Sequence, residues 1–464
     1  MDALRTPLEE VGHARLSSAA EVRVFLRRLV ATTRGAELID LGLSAGGRPL
    51  TALRLHPRGV AGRPLRVLLV GGQHGASEAA GGEALLLLAR ELAHGELAAA
   101  RAALDLVLVP DANPDGRDLD SPRNADEVNI NRDYVLVTQP EARALTALLT
   151  GFAPQVVLDA HESAALKRKT LGREGWMTDF ETQFDCGNHP AIPARLRAYA
   201  EHELLPALID AVRAAGRPTQ RYIREILSLR QPLTHGGLGV HNLRNRAALG
   251  GALAVLLETR MDPRDGHYPS FRNIAVRAAR QLEAQRLFLV TITARERELR
   301  AVLGAHAHSR EPLSAHGEYI AHEPPRQMLI ALRGVADDAL REFEFPDHRR
   351  VRHAPPMPLP GAYWVLGQVE AVARVLAAQG IATRRLARDE AHWVSPLTIP
   401  SPPARRVLPA GALEVPVSGL QARLLPPLFE PDSPSALWRY PVFARALGEA
   451  GEGGVLRGHA RGGA

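Results

Sequence analysis

The stretch LRVLLV, residues 65–70, runs straight into GGQHGASE, residues 71–78. Five of the six residues in the first part are apolar, and Arg-Pro and Gly-Gly bound it. Such a segment reads as a strand buried on both faces, which implies a parallel sheet covered by helices. The pattern returns at Leu104–Val109 (LDLVLV, ending at Pro110), at Gln155–Leu158 (QVVL) and at Ala252–Leu257 (ALAVLL). Helical stretches lie between them: Glu83–Leu92, Pro140–Leu149, Ile192–Ala215 with a kink at Pro206, and one or two helices over Phe271–Leu303. The expected fold is therefore α/β, a mixed, mostly parallel twisted sheet flanked by helices.

Composition excludes several classes. With 45% hydrophobic and 23% charged residues in 464, the chain can bury a proper core. No apolar stretch approaches the roughly 18 residues of a membrane helix, so no membrane partner is expected. Lys+Arg number 57 against Asp+Glu 51, and only Lys167 and Lys169 are lysines. The arginines are scattered, without aromatic interleaving, so no nucleic-acid partner is expected either. Cys186 is the single cysteine, which rules out an internal disulfide and any multi-cysteine metal site. The opening MDALRTPLEEVGHARL lacks the basic start and apolar segment of a secretory leader, which favours the cytoplasm. Around Ala305–Pro325, His, Pro and Gly replace the periodic pattern. The expected division is a larger domain over 1–305 and a smaller mixed domain over 306–464, with strands at Gln327–Ala331, Tyr363–Val365 and Glu414–Val417 and a helix at Val369–Gln379.

In open α/β sheets, ligands bind beyond the C-terminal ends of the strands. The four strand ends here carry Gly71–Glu78, Asp111–Gly116, Asp159–Glu162 and Glu258–Arg260. Two histidines and several carboxylates thus gather at one edge, more than a solvated rim requires. The physical reading is a catalytic zinc site, which wants three N/O ligands and an open position. One loop can present both His74 and Glu78, and His161 from another strand completes a His₂Glu set for one zinc ion. Glu258, just past an apolar strand, can sit in a dry pocket with a raised pKa and act as general base.

Taken in order, these motifs resemble the zinc carboxypeptidase family of carboxypeptidase A type. The resemblance covers roughly Leu41–Arg260. It starts at Gly42-x-Ser44-x-Gly46-Gly47-Arg48-Pro49-Leu50 and continues through GGQHGASE, NPDG (113–116), Arg123-Asn124, Asn131-Arg132-Asp133-Tyr134, LDAHE (158–162) and LLETR (256–260). It implies His74, Glu78 and His161 as zinc ligands and Glu258 as general base. By the same resemblance Arg123 polarises the scissile carbonyl, and Asn131 and Arg132 grip the substrate's terminal carboxylate. A guanidinium can hold a carboxylate by two parallel hydrogen bonds, so that last role is sound chemistry. The substrate class implied is a peptide, or an acylated amino acid, with a free carboxylate.

The chain departs from the family in three places. Three residues separate His74 from Glu78, where two are usual. Val128-Asn129-Ile130 stands where Val-Asp-Leu is common, and no tyrosine occurs between Tyr222 and Glu258. Glu162–Pro193 reads as a loop over the cleft, and the Gly-rich segment between His235 and His241 as part of the cleft wall. Short stretches at 359–363 and 429–434 resemble the appended domain of large bacterial members. Two other readings stay open: a related zinc amidohydrolase (a deacylase or cell-wall peptide amidase), and a binding module with a degraded metal site.

Overall fold

A computed structural model describes residues 4–58, 63–261, 273–306, 311–397, 401–419, 421–444 and 454–459. Its central sheet has eight strands. Two hairpin strands come first, β1 (Ala36–Leu43) and β2 (Pro49–Leu55), then β3 (Leu65–Gly71), β4 (Leu104–Val109) and β5 (Val156–Ala164). A short strand outside this sheet, β6 (Trp176–Thr178), precedes β7 (Thr182–Cys186), β8 (Thr219–Arg221) and β9 (Leu253–Met261). The order across the sheet is β1-β2-β4-β3-β5-β9-β7-β8. The inner four, β4, β3, β5 and β9, run parallel, as their apolar runs predict; β1, β2 and β7 join antiparallel. All six residues of β4 are buried, and so are all of β3 except Arg66.

Register fixes what meets at the C-terminal edge. Gly71 pairs with Ala160, and His161 pairs with Glu258 on the next strand. The helix Ala80–His94 covers one face together with Ile274–Ala294, whose Gln285 Nε2 donates to the Gly81 carbonyl. Close approach here depends on glycine: a Cβ on Gly82 would stand 2.1 Å from the Pro110 carbonyl oxygen. The expected helix over Ile192–Ala215 is two helices, Ala194–Tyr199 and Leu205–Ala214, joined by a π turn at Ala200–Leu204. The widened turn lies just before Pro206, which has no N–H to continue the α-helical ladder. The helical stretch expected from Phe271 starts at Ile274; residues 271 and 272 lie outside the described residues.

One expectation needs correction. Glu162–Pro193 is not simply a loop over the cleft, because Thr182–Cys186 is the buried strand β7, antiparallel to β9. The polar sequence Thr-Gln-Phe-Asp-Cys hides it, and Asp185 is buried there by pairing with Arg221 and Arg244.

After residue 306 come β10 (Gly317–Ile320), β11 (Gln327–Gly334), β12 (Leu340–Pro346) and β13 (Arg350–His353). A six-stranded sheet follows, with Ala362–Val365 near its centre and the helix Val369–Ala378 after that strand. This region is tied to the first: β11 pairs with β6. The Gln379 side-chain amide donates to the Tyr134 and Val135 carbonyls, and its oxygen accepts from buried Arg246. Among the described residues no helix is long and apolar enough to cross a membrane.

Candidate active site

The loop after β3 turns back on itself because Gly75, Ala76 and Ser77 form a 3₁₀ turn ending at Glu78. The residue added between His74 and Glu78 is absorbed by that turn, and Glu78 still faces His74. Gly75 has φ +51°, and a Cβ there would lie 2.4 Å from the backbone of Gly116 and of Ser121, so the turn rests directly on the NPDG loop. That loop is itself braced. The Asn113 oxygen caps its short helix by accepting from Gly116 N, and buried Asp115 accepts from Ser44 Oγ, Gly46 N and Arg48 Nη1. Two of the sequence motifs thus meet as scaffolding, not as chemistry.

At the edge, the Glu78 carboxylate sits between two imidazoles, with Oε1 2.7 Å from His74 Nδ1 and Oε2 2.8 Å from His161 Nδ1. These three side chains offer ligand atoms within 4.8 Å of one another. His161 Nε2 lies 2.9 Å from Asp159 Oδ1, which also accepts from Gln73 Nε2 at 2.6 Å. Tyr134 Oη in turn donates to Gln73 Oε1 at 2.7 Å. With Asp159 accepting from Nε2–H, a neutral His161 would turn its Nδ1 lone pair toward a cation, the usual support for a metal-bound histidine. His74 Nε2 is buried and has no hydrogen-bond partner among the described residues.

Charges follow the geometry. Burial works against the Glu78 charge, but His74 and His161 on either side hold its carboxyl well below the usual range. Burial likewise opposes charge on His161, yet Asp159 and Glu78 raise its pKa well above the ordinary value. A field that holds protons there so firmly also suits a divalent cation. Two imidazoles and a carboxylate are a donor set that fits zinc. Glu258 points into the same cleft with Oε2 buried and unbonded. Burial, then the negative charges of Glu78 and Asp159, push its carboxyl up to about 8.

Asn131 and Arg132 line the cleft as well. Asn131 Oδ1 accepts from Leu243 N, which fixes the amide, while the Arg132 side chain is exposed and donates to the Asn131 carbonyl. Arg123 stands apart: it is exposed, its guanidinium donates to the Glu127 carbonyl, and it is absent from the cleft wall. Gly236–Gly239 and His241 do line the cleft. Sequence reasoning missed Asp159, although it stands two residues before His161 on one strand and therefore on the same face. It also missed Tyr222, which lines the cleft and is the tyrosine nearest the interval searched.

A family model described as zinc carboxypeptidase (peptidase M14) matches residues 22–156. Over those residues the chain is similar to the zinc carboxypeptidases. The matched part holds His74, Glu78, Asn131 and Arg132; His161 and Glu258 lie beyond it. "Probable carboxypeptidase 2" of Arthroderma benhamiae is 29% identical over 201 residues, 42% of this chain and 38% of that protein. Carboxypeptidase 2 of Trichophyton rubrum is 28% identical over 202 residues, 43% of this chain and 37% of that protein. The chain thus spans less than two-fifths of the length of these relatives. Among solved structures, a metallo-carboxypeptidase from Burkholderia cenocepacia aligns at TM-score 0.45 and 16% identity, over 59% of this chain and 68% of its own. One from Pseudomonas aeruginosa, in complex with (2-guanidinoethylmercapto)succinic acid, aligns at 0.45 and 20%, over 60% and 69%.

Proposed function

We propose that this chain is a zinc-dependent metallocarboxypeptidase, with its catalytic portion in residues 1–305 and the part from 306 onward serving as a buttress. The observation that carries the reading is the Glu78 carboxylate clasped by two imidazole Nδ1 atoms, with the free Oε2 of Glu258 in the same cleft. His74, Glu78 and His161 hold one zinc ion. Bound there, zinc supplies a Lewis acid for the scissile carbonyl and acidifies water. Glu258 takes the proton of the attacking water and passes it to the leaving amine. Beside a bound divalent cation Glu258 would give up its proton more readily, leaving the carboxylate free to act as base. Asn131 and Arg132 hold the substrate's terminal carboxylate, which makes the action exopeptidic. Arg123, whose Nη1 donates to the Glu127 carbonyl outside the cleft, is assigned the oxyanion-steadying role in the substrate complex alone.

The test is release of C-terminal residues from a peptide mixture, read by mass spectrometry, with zinc content measured in parallel. Glu258→Gln is expected to abolish turnover while zinc is retained. Equal hydrolysis of free-acid and C-terminally amidated peptides would remove the carboxylate role of Arg132. Activity confined to N-acyl amino acids would move the assignment to a deacylase using the same ligands.

A further inference from the structure

Two adjoining hollows share His74, Arg132, Tyr222, Arg224 and Glu258, and only one of them continues beneath the loop Gly236–Gly239. That hollow holds about 330 Å³, room for one amino-acid side chain and ordered water. Its inner wall carries a guanidinium. Arg244, from the helix Leu243–Leu249, is 4% exposed. It donates from Nη1 to Asp185 Oδ2 at 2.6 Å and from Nη2 to the Gly237 carbonyl at 3.2 Å and to Asn188 Oδ1 at 3.4 Å, while its buried Nε has no hydrogen-bond partner among the described residues. Gly236 makes the space: a Cβ there would stand 2.5 Å from Arg244 Nη1 and 2.8 Å from Asp185 Oδ2.

The excess positive charge lies at the mouth of the hollow, not on its inner wall. Asp185 serves Arg221 as well as Arg244, and Glu201 pairs with Arg221 too, so these two guanidinium groups are matched by two carboxylates. Arg132 and Arg224, both exposed, have no carboxylate partner among the described residues. The two acids that line the hollow, Asp159 and Glu258, stand on the strands beside His161, and Asp159 is engaged by His161 and Gln73. An apolar side chain entering here would strip water from the exposed Arg132 and Arg224 and leave the Arg244 Nε still without a hydrogen bond, which is costly for charged groups.

We propose that this hollow receives a carboxylate side chain, so that the chain removes C-terminal glutamate or aspartate in preference to other residues. The inference rests on the carboxypeptidase reading above and adds its substrate class. Arg132 and Asn131 take the α-carboxylate, and the side-chain carboxylate lies against Arg244 in the wall, with Arg224 supplying positive charge at the mouth.

The experiment uses the zinc-loaded full chain and a matched peptide series ending in Glu, Gln, Leu, Phe or Lys. The expected kcat/KM for the Glu ending exceeds that for its Gln isostere at least tenfold. Arg244→Met should bring that ratio to within about threefold of one. Gly236→Ala, which displaces the guanidinium, should lower it in the same direction. Because Arg244 also braces the loop, the ratio is the deciding readout: a purely structural role lowers kcat/KM for every ending alike and keeps the ratio. A second arm measures calorimetric binding of free glutamate and glutamine to the Glu258→Gln protein, with glutamate expected at least tenfold tighter. Efficient release of Leu, Phe or Lys in preference to Glu overturns this inference and leaves the carboxypeptidase reading standing. No release from any peptide, with glutamate still favoured in binding, keeps the acidic pocket and overturns the carboxypeptidase reading. Neither release nor glutamate binding overturns both.

Discussion

Asp159→Asn probes the support beneath the proposed metal ligands while leaving their shape alone. The Asp159 side chain is 2% exposed, and a single oxygen, Oδ1, accepts from both His161 Nε2 and Gln73 Nε2. An asparagine oxygen can occupy the same point and accept both bonds, so the substitution removes charge and little else. Loss of such a carboxylate behind a metal-bound histidine typically costs 10–100-fold in metal affinity, about 1.4–2.8 kcal/mol. The assay is zinc competition against a chromophoric chelator at pH 7.5, with His74→Ala as the reference for loss of a ligand. The expected zinc Kd rises by one to two orders of magnitude, with the fold intact by circular dichroism. A Kd within twofold of the parent would refute the reasoning, because His161 would then not depend on Asp159.

Three further predictions concern the scaffold. Arg277 makes paired hydrogen bonds of 2.7 Å to Glu162, both side chains being nearly inaccessible, so Arg277→Ala leaves a buried carboxylate uncompensated. The expected loss is about 3–5 kcal/mol in urea unfolding, and less than about 1 kcal/mol would show that Glu162 finds another partner. Gly82→Ala drives a methyl group into the Pro110 carbonyl at 2.1 Å and should lower stability by about 1–3 kcal/mol; a neutral result by thermal melting would mean that the helix can retreat from the strand. Burial and neighbouring cationic groups push the pKa of His189 down to about 3 and that of His235 to about 4, below the ordinary value of 6.5. Below pH 6.5 the unfolded chain binds protons that the folded chain refuses. Stability is therefore full above that value and falls toward pH 4, by about 1.4 kcal/mol per pH unit for each histidine. Melting curves between pH 7 and 5 test this, and His235→Asn should flatten the slope.

The inner sheet was legible in the sequence because strands buried on both faces leave unbroken apolar runs. Leu104–Val109 emerges with its bounds unchanged, and the strand after Gln155 is found but runs on to Ala164. Its continuation through Asp159, His161 and Glu162 is polar, since it forms the edge of the site. The outer strands were illegible for related reasons. In β7, burial is sustained by ion pairs between Asp185 and two distant arginines, which no local pattern reveals. β1 is half solvated, so its apolar residues do not form a run. The ligands were readable because each follows a recognisable strand. The cleft wall at Tyr222 and Arg244 was not, as it depends on how the segment after β8 folds back over the sheet.

The measurement that bears most directly on the whole account is metal stoichiometry in the purified chain, by inductively coupled plasma mass spectrometry, beside Glu78→Ala and His161→Ala. One zinc per chain is predicted, lost in both variants while their circular dichroism stays native. A chain that binds no zinc at micromolar concentration, or variants that retain a full equivalent, would contradict the claim that His74, Glu78 and His161 form its metal centre.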